Sequence, residues 1–138
     1  MISKKLVVLI SVGLVGLLGF LYFSPTPHFG SKIPLGSEVP VGGNARALSS
    51  TTVSLSPTQC ETIAEALKTA RGGGPIHACP CIGTIALDYT DGRSKKFSLM
   101  PAHRFGRIDL VFEEHCYSMS AHTLFDALEK AGISTKTR

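Results

Sequence analysis

No catalytic signature occurs in these 138 residues: G-x-S-x-G, H-E-x-x-H, the P-loop and the dinucleotide-binding fingerprint are all missing. The chemistries that depend on those motifs are therefore set aside. Asp88 with Asp91, and Glu113 with Glu114, are neighbouring carboxylates, but they fall at expected strand ends and turns, where charge belongs. No residue is assigned as catalytic, and no enzyme activity is read from the chain.

An excess of positive charge on the folded part is missing too. Lys4 and Lys5 account for two of the 14 basic residues, leaving 12 against all 10 acidic residues over positions 24–138. A nucleic-acid binder carries a strong basic bias on its domain, so no nucleic-acid partner is expected. No C-x-x-C precedes a helix, which excludes a thioredoxin-like redox site. Small residues at the −3 and −1 positions are absent after the N-terminal apolar run, where a cut after Ser24 would place Tyr22 at −3.

That run is the strongest feature present. Residues 6–23 read LVVLISVGLVGLLGFLYF, and eighteen helical residues cover about 27 Å, near the hydrocarbon thickness of a bilayer. Tyr22 and Phe23 suit the headgroup boundary, and Lys4 and Lys5 place the N-terminus in the cytoplasm. With no cleavage site, a retained anchor (1–23) is favoured over a signal peptide. The expectation is a single-pass membrane protein whose C-terminal domain lies outside the cytoplasm.

Residues 24–55 hold Pro25, Pro27, Pro34 and Pro40 with glycines and serines, and read as a flexible linker reaching about 30 Å. Leu48–Leu55 is the one stretch there with strand character. The domain is expected over 56–132, followed by a tail at 133–138. Ser56-Pro57-Thr58-Gln59 is a capping box, and Cys60, Ile63, Ala64 and Leu67 form one apolar face. Gly72-Gly73-Gly74-Pro75 stops that helix. Three alternating strands follow, Ile82–Tyr89, Lys95–Met100 and Gly106–Glu113, the first two joined by a type I′ turn at Asp91-Gly92. Ser120 caps a second helix with Ala121, Leu124, Phe125 and Leu128 inward. The fold class is α+β: a two-layer sandwich of helix, three-stranded antiparallel meander and helix, behind one transmembrane helix.

Cys60, Cys79, Cys81 and Cys116 all lie beyond the anchor, in a compartment where disulfides persist. In a simple meander, Cys79 and Cys81 fall about 23 Å from Cys116 along the strands. This favours a Cys60–Cys116 staple, with Cys79 and Cys81 left together. The loop 72–78 is long enough to bring Cys79 back to Cys60 instead. Cys79-Pro80-Cys81 has three readings: structural half-cystines, a dithiol switch, or a copper(I) or zinc site completed by His77. His103, His115 and His122 are further candidates for such a site. Arg93, Lys95, Lys96, Arg104 and Arg107 form a cationic group fit for an anionic partner such as lipid headgroups or a polysaccharide. The leading expectation is a disulfide-stabilised binding or interaction domain with an unread ligand. The alternative is a thiol-redox or copper/zinc-handling protein built on His77, Cys79 and Cys81.

Overall fold

The computed structural model describes residues 29–47 and 51–135; the expected anchor at 6–23 and the last three residues lie outside the described residues. In chain order the elements are β1 (Gly42–Ala47), β2 (Val53–Leu55), α1 (Pro57–Leu67), β3 (Arg71–Gly72), β4 (Gly83–Asp88), β5 (Ser94–Pro101), β6 (Arg107–Phe112), β7 (His115–Ser120) and α2 (Ala121–Lys130). The strands form one seven-stranded antiparallel sheet in the order β2-β1-β4-β5-β6-β7-β3. Among the described residues no helix is long and apolar enough to cross a membrane.

The α+β class holds, with both helices packed on one face of the sheet. That face is the one the alternation of apolar residues marks out. Ile85, Leu87, Phe97, Leu99, Ile108 and Leu110 are each at most 2 % exposed and share a core with Cys60, Ile63 and Leu67 of α1 and Leu124 and Leu128 of α2. The capping box forms as its sequence predicts. The Ser56 amide donates to Gln59 Oε1 at 2.7 Å, and the Gln59 amide donates to Ser56 Oγ. Gln59 Nε2 also donates to the Ala131 carbonyl at 2.8 Å, tying α1 to the end of α2.

The three-stranded meander is corrected to seven strands. The meander itself continues through β7, whose turn from β6 uses Glu113 and Glu114 at φ 47° and 65°. Hairpin turns with two left-handed positions favour Asn and Gly, so two glutamates hide the turn. The β4–β5 connection is not type I′ either, since only Gly92 has positive φ. It is a three-residue loop closed by the Tyr89 amide on the Arg93 carbonyl at 2.9 Å, with glycine in the left-handed position that such loops need.

The reading of 24–55 as a free linker is also corrected. β1 pairs along the whole of β4 from Gly42↔Asp88 to Ala47↔Gly83, and β2 pairs outside it. A Cβ on Gly43 would come within 2.1 Å of the Ala86 carbonyl oxygen, so glycine is required for that approach. Upstream, Lys32 bridges to Arg71 beyond β3. The chain must then cross from the β3 edge to β1, with Ile33 and Leu35 buried on the way. Lys95 Nζ fastens this strap by donating to the Pro34 and Leu35 carbonyls at 2.7 and 2.8 Å. Polar composition concealed a segment that buries Ile33 and Leu35.

Candidate functional site

The sheet face away from the helices carries the chemistry. On β6 and β7, Ile108, Leu110, Tyr117 and Met119 belong to the helix-side core. Strand alternation therefore turns Asp109, Cys116 and Ser118 to the opposite face. The connection from β3 to β4 crosses that face. Its Gly73 amide donates to the Cys116 carbonyl at 2.8 Å beside β7, and its Ile82 amide donates to the Leu99 carbonyl on β5 at 2.8 Å. Between these points His77 and Cys79 are partly buried, while Ile76, Ala78 and Pro80 are exposed, the period-two pattern of an extended strand laid on a surface.

His77 Nε2 lies 2.9 Å from Asp109 Oδ2. A carboxylate only accepts, so Nε2 carries a proton, and in the neutral ring Nδ1 carries the lone pair. That Nδ1 is buried and has no hydrogen-bond partner. His103, on the turn between β5 and β6, stands with its ring centroid 4.6 Å from that of His77. Its Nε2 is 3.6 Å from Cys79 Sγ. His77, Cys79 and His103 each offer one ligand atom, and these atoms all lie within 4.8 Å of one another. A cleft of about 270 Å³ opens beside them, lined by His77, His103, Arg104, Asp109 and Cys116 among others.

The sequence-derived trio of His77, Cys79 and Cys81 is thus changed in one member. His77 and Cys79 come together, but Cys81 is exposed and its Sγ turns to the Gly83 carbonyl at 2.9 Å. The exposure pattern, alternating from Ile76 to Pro80, breaks at Cys81. His103 takes the third place. His122 is elsewhere, paired with Asp126 at 3.1 Å on α2.

The structure does not join Cys60 to Cys116, and no disulfide is present among the described residues. Cys60 sits in the core under α1, whereas Cys116 lies on the far face of the sheet, so the sheet itself separates them beyond disulfide reach. Burial pushes the Cys60 thiol up, with Asp88 adding to it. Burial, followed by the Asp109 charge, pushes Cys116 up to about 11. Because the thiolate is the reacting form, iodoacetamide at pH 8 should modify Cys81 first and Cys79 next. Cys60 and Cys116 should react only on unfolding, as peptide mass mapping against time will show.

The five cations do not make one patch. Arg93 pairs with Asp91 and, at 2.9 Å, with Glu38. Lys95 holds the strap and lies 5.3 Å over the Tyr89 ring. Lys96 points to the opposite face. Arg104 and Arg107 sit at the other end of β5, about 20 Å away at strand rise, where Arg107 Nε donates to Ser118 Oγ at 3.2 Å. Set against known proteins, the chain matches no family model, no curated protein and no solved structure.

Proposed function

We propose that this protein is a membrane-anchored, extracytoplasmic metal-handling domain that binds one thiophilic cation, copper(I) or zinc, through His77, Cys79 and His103. The observation that carries the reading is His77: a partly buried imidazole whose Nε2–H is taken by Asp109 and whose buried Nδ1 faces no partner. Leaving a buried polar atom unsatisfied is costly, and a metal ion would satisfy it. A carboxylate behind a ligating histidine fixes the tautomer and raises the basicity of the donor nitrogen, the usual outer arrangement of histidine metal sites.

One thiolate and two imidazoles suit soft or borderline cations and disfavour magnesium and calcium, which take oxygen ligands. Three protein donors leave zinc one position short of its tetrahedron, a position held open in exchangeable and catalytic sites and closed in structural ones. The exposure of His103 and the adjoining cleft favour exchange. Dispersal of the cationic residues leaves the alternative, an anion-binding module on Arg93, Lys95, Lys96, Arg104 and Arg107, without a common surface. Residues 6–23 supply the anchor in this reading, and Lys4 and Lys5 the orientation.

The test is an anaerobic titration of the full chain in detergent with copper(I) and, separately, zinc, followed by native mass spectrometry. One equivalent should bind and should protect Cys79 from alkylation while Cys81 stays reactive. No uptake of either ion, or protection of Cys81 in place of Cys79, would overturn the proposal.

A further inference from the structure

Five large apolar side chains are exposed among the described residues: Phe29, Val39, Val41, Ile76 and Phe105. Three of them belong to segments that bound or adjoin the cleft. Phe105 is fully exposed and occupies, with Gly106, the centre of a turn closed by the Arg107 amide on the Arg104 carbonyl at 3.2 Å. It directly follows His103 and Arg104, which form one wall. Ile76 is 47 % exposed between Pro75 and His77 of the opposite wall. Phe29 is 61 % exposed and precedes Gly30, whose amide donates to the Gly72 carbonyl at 2.9 Å, one residue before Gly73 of the cleft.

Cations stand beside these residues. Lys32 and Arg71 flank the β3 edge, and Arg104 and Arg107 flank Phe105. Asp109, in the lining of the cleft, is 13 % exposed and engaged by His77. The chain's own connectivity then limits where this surface can be. Phe23 ends the apolar segment, and Phe29 is six residues further on, a span of at most about 22 Å even when fully extended.

We infer that the rim of the metal cleft, through Phe105, Ile76, Phe29 and the cations Arg104 and Arg107, docks on an anionic lipid surface, so that the cleft works at the face of the membrane. The inference rests on the reading of residues 6–23 as a retained anchor. Aromatic side chains favour the interfacial zone, and basic residues beside them are drawn to anionic headgroups. A short tether makes the encounter intramolecular, so weak contacts suffice for docking.

The chain contains no tryptophan, so Phe105→Trp gives a single reporter. The full-length variant is reconstituted in vesicles of phosphatidylcholine, alone or mixed with phosphatidylglycerol, with and without brominated acyl chains. With phosphatidylglycerol present, the emission should shift to the blue and brominated lipid should quench most of it. Arg104→Glu in the same background, or high salt, should restore water-like emission. Equal quenching in neutral vesicles would overturn the anionic preference. Water-like, unquenched emission in every vesicle would overturn docking altogether. Flotation of the vesicles after a carbonate wash reports the anchor separately. A chain that floats without quenching defeats docking alone, whereas a chain that does not float defeats the anchor and docking together.

Discussion

Cys79→Ser and His103→Ala are each expected to abolish tight copper(I) or zinc binding, whereas Cys81→Ser is expected to leave it intact. A serine hydroxyl stays protonated at neutral pH and is a hard donor, so it cannot replace a thiolate on a soft ion. Removing His103 leaves two donors from one loop, with nothing on the β5–β6 turn to close the site. Asp109 lies one shell out, and losing such a partner typically weakens metal affinity about 10–100-fold. Asp109→Asn keeps an oxygen that can accept from His77 Nε2–H, so its effect should fall near the lower bound, with Asp109→Ala near the upper. Anaerobic competition against a chromophoric copper(I) chelator, and against a fluorescent zinc indicator, will rank the five variants. Loss of binding in Cys81→Ser as well as in Cys79→Ser would restore the Cys79-Pro80-Cys81 pair as the site.

Two of the three proposed donors were visible in the sequence because they are two residues apart. His-x-Cys puts both side chains on one side of an extended segment, and that is how His77 and Cys79 meet. The same spacing rule suggests Cys81, and it fails there because the alternation of exposure breaks between Pro80 and Cys81. His103 is 24 residues beyond Cys79 on a separate turn. Only the crossing of the β3–β4 connection over the sheet brings the two together. Asp109 was legible merely as a solvent-facing strand residue. Its role depends on which face the connection covers, and nothing local in Arg107–Phe112 encodes that.

The fold divides the same way. The helices and β4, β5 and β6 announce themselves through capping residues and strict alternation of large apolar side chains. β1 is concealed because its sequence, GGNARA, lacks the β-branched and aromatic residues that mark strands. It needs small residues in order to approach β4 so closely. β7 reads HCYSMS and is bounded by a glutamate pair in place of glycine. The edge strand β3 lies within the helix-stop signal, where glycines are expected to end structure rather than begin it. β1 pairs with β4 and β7 with β6, while β2 and β3 pair in turn on β1 and β7, so the missing information was long-range pairing.

Leu110→Ala should be the most damaging single truncation for stability, at about 2–5 kcal/mol for a fully buried leucine. Leu110 is completely buried in β6 and stands opposite Leu99 of β5 and Tyr117 of β7, both in the helix-side core. Neighbours on three sides limit how far the cavity can collapse. Its sequence neighbour Val111 faces the other side of the sheet, half-buried, opposite Ser98 and Cys116. Val111→Ala should therefore cost only about 1 kcal/mol, the loss of little more than one buried methylene equivalent. For a domain of this size each kcal/mol lowers the melting temperature by roughly 4–8 °C, so thermal unfolding followed by circular dichroism separates the two variants. A one-residue slip of β6 would send Val111 into the core and Leu110 outward, and the measured costs would exchange. Equal costs would mean that both faces of the sheet are covered alike, and the division between a helix-side core and an open metal-bearing face would have to be abandoned.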